Sequence, residues 1–127
     1  MTNWKFRASE VQVKLEELAN YSEVKDALAR PTLSKSHKKA LDQIQSWMEE
    51  VGLVVIKDHA GNLIGRLGSK RENAPTFLMG SHIDTVSNAG IYDGNLGIIA
   101  AISAVELFGS SSSASPFNID VIAFSDE

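Results

Sequence analysis

Thr76-Phe77-Leu78-Met79-Gly80-Ser81-His82-Ile83-Asp84-Thr85-Val86 is the stretch on which the fold turns. Residues 76–81 read as a short buried strand, and His82 and Asp84 follow where that strand gives way to a loop. Downstream, Gly94 or Asn95 opens a helix over Leu96 to Phe108. That helix is apolar on nearly all faces, which predicts burial, and Gly109 closes it. Ser110 to Pro116 is a low-complexity linker. Phe117 to Phe124 reads as another strand, continuously apolar and so suited to a sheet covered on both faces. Strand, crossover helix and strand make two parallel neighbours. The fold class is α/β, with helices layered on a central sheet.

Upstream, Val11, Leu15 and Leu18 recur at helical steps in residues 8–20, with Ser9 and Gln12 spaced for a capping box. Tyr21 to Arg30 reads as one or two more helical turns, ended by Pro31. Ser34 or Ser36 starts a second helix. Its stripe of Ala40, Leu41, Ile44, Trp47, Met48 and Val51 stops at Gly52. Leu53 to Lys57 and Leu63 to Leu67 are strands either side of the turn Asp58-His59-Ala60-Gly61-Asn62, so they form a hairpin. Residues 68–75 are a polar loop.

The chain has 127 residues, of which 43% are hydrophobic, and a net charge of −4. These values describe one small domain able to build a core. Lys38-Lys39 and Lys70-Arg71 are isolated pairs and not a basic stripe, which disfavours nucleic-acid binding. There is no cysteine, which excludes a disulfide scaffold and thiolate metal ligation. The first seven residues lack the apolar core of a signal peptide, and Leu96 to Phe108 is too short and interrupted to cross a bilayer. A cytoplasmic protein without a membrane partner is expected.

In open α/β sheets, ligands bind in the crevice at the carboxyl ends of the strands. That edge here collects His82, then Asp93 before the apolar helix, then Asp126-Glu127 after the last strand. Residues two apart in extended chain point to one side, so Asp84 is placed to accept a hydrogen bond from His82. The other ring nitrogen would then face a metal. The plain alternative is a surface histidine near a surface acid. Asp93 is either a helix cap or a carboxylate that bridges two cations. Asn88-Ala89-Gly90 and Gly94 allow the tight backbone that bridging needs. Asp126 and Glu127 are either acid–base or metal groups, or a solvated strand end. His37, at the head of an amphipathic helix, and His59, in the hairpin turn, carry little ligand signal. The glycines match no nucleophile elbow, phosphate loop or dinucleotide fingerprint.

Together these segments resemble the M20 family of two-metal hydrolases. More narrowly, they resemble its branch of allantoate amidohydrolases, N-carbamoyl-L-amino-acid hydrolases and ureidopropionases. The similarity is carried by Thr32-Leu33-Ser34, by residues 46–53, and by Asp58 with Gly61-Asn62-Leu63 and Gly65-Arg66. It continues through Gly80 to Val86, Tyr92 to Gly97 and Val121 to Glu127. One departure is Ala89, where the family often has a second glycine. The resemblance implies a three-layer α/β/α zinc-peptidase-like catalytic domain. It implies that His82 binds one metal, Asp93 bridges two, Asp84 orients His82 and Glu127 is the general base. The cofactors would be two divalent ions, Mn²⁺ or Zn²⁺, and the substrate a linear amide or ureido compound.

On that likeness, residues 1–127 are the N-terminal part of the catalytic domain, without the second metal glutamate, the later metal histidines or the lid and dimerisation domain. The full-length parent would be a homodimer. The isolated chain is expected to be inactive, to bind metal feebly and to associate through uncovered apolar surface. Two rival readings remain: another M20-type aminoacylase, dipeptidase or aminopeptidase, or a non-catalytic module that kept the fold.

Overall fold

The structure is a computed structural model and describes residues 4–109 and 115–126. Seven elements follow in order: α1 (Trp4–Ala19), α2 (Lys35–Glu50), β1 (Val54–Lys57), β2 (Leu63–Leu67), β3 (Thr76–His82), α3 (Asn95–Gly109) and β4 (Asn118–Phe124).

Helix α2 forms where its sequence signals place it. Ser34 is the N-cap, and its hydroxyl accepts from the His37 amide at 3.1 Å. At the other end Leu53 N donates to Met48 O and Gly52 N to Glu49 O, each at 3.0 Å. These are the paired bonds of a Schellman stop, and they require the positive φ of +88° that Gly52 adopts. Strands β1 and β2 then pair antiparallel, with Lys57 opposite Leu63. The turn between them is organised by the Asp58 carboxylate, which accepts from Ala60 N, Asn62 N and Asn62 Nδ2, each at 2.9 Å.

The sheet order is β1-β2-β4-β3. Strand β4 runs antiparallel to β2 and parallel to β3. The parallel pair is the one expected from the crossover through α3. Register sorts the side chains into two faces. Gly65, Val121 and Met79 are mutual neighbours across β2, β4 and β3, and so share a face. A Cβ on Gly65 would meet Met48 Sδ of α2 at 2.9 Å. A Cβ on Gly97 of α3 would come 2.8 Å from Ser81 Cβ on the same face of β3. Helices α2 and α3 therefore cover one face, and α1 packs against α3. A single core joins Leu15 and Leu18 of α1, Ala40, Ile44 and Met48 of α2, Ile98, Ile99, Ile102 and Val105 of α3, and Ile119, Val121 and Ala123 of β4.

The other face carries Val54, Ile56, Ile64, Ile122 and Leu78 around an Arg66–Asp120 pair. Among the described residues no helix covers it, and Val54, Ile56 and Leu78 are exposed. The α/β class holds, and the described residues supply the sheet and one helical layer. Among the described residues, strand β4 is covered by helices on one face and flanked along its edges by β2 and β3.

Three local expectations differ from the structure. Helix α1 begins at Trp4, so Ser9 lies inside it and caps nothing. Tyr21 to Arg30 is not helical; Ser22 Oγ accepts from Ala29 N at 3.0 Å and donates to Ala27 O at 2.8 Å, and Leu28 bridges to Ala89. A short polar side chain has outcompeted the helical backbone bonds there. Strand β3 is not buried: it is an edge strand whose Phe77 is 55% exposed. The linker at residues 110–114 lies outside the described residues.

Candidate metal centre

Strand β3 delivers His82 to the carboxyl edge of the sheet, directly opposite Phe124. Ser125 and Asp126, leaving β4, emerge beside it. The chain turns inward after His82: Ile83 is fully buried, and Asp84 and Thr85 nearly so.

That turn changes what Asp84 does for His82. Its backbone carbonyl, not its carboxylate, accepts from His82 Nδ1 at 2.8 Å; Asp84 Oδ1 stands 3.7 Å away. The extended geometry behind the expected side-chain bond ends with β3 at His82, so alternation no longer governs residue 84. The consequence for the ring is the same. A carbonyl can only accept, so Nδ1 keeps the hydrogen and Nε2 presents its lone pair.

Nε2 faces Asp93 Oδ1 at 3.6 Å, too far for a hydrogen bond. Two donors each about 2.1 Å from one tetrahedral cation stand about 3.4 Å apart, so this spacing suits a shared ion. Gly94 makes the approach possible. It adopts φ +66°, and a Cβ there would strike the His82 carbonyl oxygen and lie 2.6 Å from both Cε1 and Nε2. Any other residue would push the imidazole off the loop.

Asp93 does not serve as the cap of α3. The first turn of the helix is held by backbone bonds, Asn95 N to Asp93 O at 2.7 Å and Gly97 N to Gly94 O at 3.1 Å. The Asp93 carboxylate is half-exposed and turned to His82. Asp126 is tied back by Thr32, whose Oγ1 lies 3.0 Å from Asp126 Oδ1 and 2.9 Å from Ser125 O. Glu127 lies outside the described residues. Among the described residues, no three histidine or acidic side chains gather closely enough to hold an ion by themselves. This region offers a pair of ligands.

Around that pair is a buried polar frame that sequence reading missed. Arg30 is fully buried. Its Nε donates to Ile83 O at 2.8 Å, one NH to Leu18 O at 2.7 Å and Tyr21 O at 3.0 Å, and the other NH to Asn95 Oδ1 at 2.7 Å. Burial lowers the guanidinium pKa to about 10, partly offset by the Asp84 charge, so the group stays cationic at neutral pH. An arginine before a proline carries no motif, and Asn95 looked only like a helix opener. His37 also differs from its sequence appearance. It is 2% exposed, its Nδ1 accepts from Leu33 N at 3.3 Å, and its Nε2 has no hydrogen-bond partner among the described residues. Burial pushes its pKa below the ordinary value, with Asp84 opposing. His59 sits exposed in the hairpin turn, as expected.

The Peptidase family M28 profile matches residues 62–127, where the sequence reading had named M20. The matched span holds β2, β3, α3 and β4, and with them His82 and Asp93. Allantoate deiminase 1 of Glycine max is 43% identical over 120 residues, covering 93% of this chain and 25% of that protein. The N-carbamoyl-L-amino-acid amidohydrolase of Pseudomonas sp. (strain NS671) is 36% identical over 118 residues, covering 92% of this chain and 28% of that protein. The chain thus spans about a quarter of the length of these curated relatives. The crystal structure of AtUAH in complex with glyoxylate superposes with a TM-score of 0.89 at 28% identity, over 94% of this chain and 29% of that one.

Proposed function

The chain belongs to Peptidase family M28, and from that premise we propose that it forms part of a metal-dependent hydrolase cleaving a linear amide or ureido C–N bond. The observation that carries this reading is the His82 Nε2–Asp93 Oδ1 pair, 3.6 Å apart at the carboxyl edge of the sheet. An imidazole nitrogen with a carboxylate oxygen suits Zn²⁺ or Mn²⁺. His82 would hold one ion, and Asp93, whose carboxylate is half-exposed, would lie between two. When bound, such ions lower the pKa of a water and polarise the scissile carbonyl.

The chain's own residues do the remaining work. The Asp84 carbonyl keeps the proton on His82 Nδ1, so the ring cannot turn its lone pair away from the centre. Gly94 holds ring and loop in contact. Glu127, next to Asp126 at the end of the acidic stretch, would take the proton from water and return it to the leaving nitrogen. The names of the relatives, allantoate deiminase and N-carbamoyl-L-amino-acid amidohydrolase, support a small ureido acid as the substrate class.

The test is hydrolysis of allantoate and of N-carbamoyl-L-amino acids by the complete protein, with Mn²⁺ or Zn²⁺ supplied and then chelated. Metal-dependent release of ammonia from either supports the reading. Turnover that survives chelation and is restored by no metal would overturn it. The 127-residue chain alone is expected to turn over neither substrate.

A further inference from the structure

We infer that Arg30 is the positioning residue of this centre: one buried guanidinium sets the separation of His82 and Asp93 by fastening both loops that carry them. The inference rests on the metal reading for its purpose, but its geometry stands without a metal.

Arg30 reaches three parts of the chain at once. Its Nε bond to Ile83 O pins the residue between His82 and Asp84. Its bond to Asn95 Oδ1 pins the first residue of α3, two beyond Asp93. Its bonds to Leu18 O and Tyr21 O fasten the exit of α1, where Leu18 O also accepts from Tyr21 N at 3.1 Å. The backbone adds to the hold: Arg30 N donates to Thr85 Oγ1 at 2.8 Å, and Thr85 N donates to Arg30 O at 2.9 Å. Ile83 and Asn95 are both fully buried, so neither anchor can exchange its partner for bulk water. Asn95 is itself steadied by its Nδ2 bond to Ile91 O at 3.4 Å.

The planar fork explains why arginine is used. Four acceptors lie around the guanidinium in directions that one ammonium could not serve together. Arg30 touches neither proposed ligand side chain. It acts on His82 through the carbonyl of Ile83, and on Asp93 through Asn95. Partners that orient ligands in this way typically matter for metal affinity by about 10- to 100-fold.

The experiment uses NMR on the 127-residue chain and its Arg30→Lys, Asn95→Ala and Ile44→Val variants. Without metal, the wild type should show a strong cross-relaxation peak between the His82 ring Hε1 and the Gly94 α-protons, because that α-carbon rests on the ring. With trace Mn²⁺ added, the His82 and Gly94 signals should broaden first. In Arg30→Lys the peak should fall several-fold, and about tenfold more Mn²⁺ should be needed for equal broadening. Asn95→Ala, which cuts a single strut, should be intermediate. Ile44→Val lightens the core away from this frame and should change neither readout. If Arg30→Lys does not fold, Asn95→Ala decides: an unchanged peak there overturns the inference, as does an unchanged peak in a folded Arg30→Lys. A wild type that shows the peak but no selective broadening would sink the metal reading and leave Arg30 to be judged on the peak alone.

Discussion

Two arginines serve the same sheet in opposite ways. Arg30, at the carboxyl edge, is sealed from water and bonded to backbone carbonyls and an amide oxygen. Arg66, on the uncovered face, is half-exposed and forks onto one carboxylate, with Nε to Asp120 Oδ1 at 2.7 Å and NH to Asp120 Oδ2 at 2.6 Å. The Asp120 bonds raise the Arg66 pKa, while burial lowers that of Arg30. A guanidinium spent on a carboxylate fixes two side chains. A guanidinium spent on carbonyls fixes the chain itself, and that is the device a ligand-bearing edge requires.

Replacing each arginine is the sharpest way to test this contrast. Arg30→Leu leaves several buried acceptors without donors and should cost on the order of 3 kcal/mol or more in urea unfolding. If it unfolds no more easily than Arg66→Ala, the contrast fails. Gly94→Ala comes next, at about 1–3 kcal/mol for forcing a side chain into a positive-φ position against His82. It should also abolish Mn²⁺-induced broadening at His82, which marks it as damage to the site and not only to the fold. Arg66→Ala should cost no more than about 1 kcal/mol, since the pair it breaks is open to solvent on one side.

The smallest effect concerns pH. Burial holds His37 below its ordinary value of 6.5, so at mildly acidic pH the unfolded chain takes up a proton that the folded one resists. Stability from this source is complete above 6.5. It declines as pH falls from 6.5 to the depressed folded value, and levels off below it. His37→Gln should flatten that slope in urea titrations between pH 7 and pH 5.

What the sequence made legible follows the range of each signal. Ser34, Gly52 and Asp58 act on neighbours within a few residues, so α2 and the hairpin could be placed from spacing alone. The His82–Asp93 meeting was readable because a strand, a crossover helix and a strand have few ways to pack. Arg30 escaped notice because its acceptors are mostly main-chain carbonyls, which leave no trace in a string of side chains. Asp120 was hidden inside an apolar run, since its partner Arg66 stands on another strand. Asp84 was placed correctly and given the wrong atom, because alternation was carried two residues beyond the strand that enforces it. The exposure of β3 was missed because Phe77, Leu78 and Met79 look the same in an edge strand as in a central one.

The placement of β4 has a bearing on how the molecule is made. This strand holds the hairpin on one side and the ligand-bearing strand on the other, so β2 and β3 never meet except through it. During synthesis Leu63 must wait for Ala123, and Met79 for Val121, before either has a sheet partner across the gap. Such non-local pairing is slow to form, and until it does the apolar strands stand open to other chains. Expression at low temperature with a chaperone in attendance should therefore improve recovery more than any change to the surface.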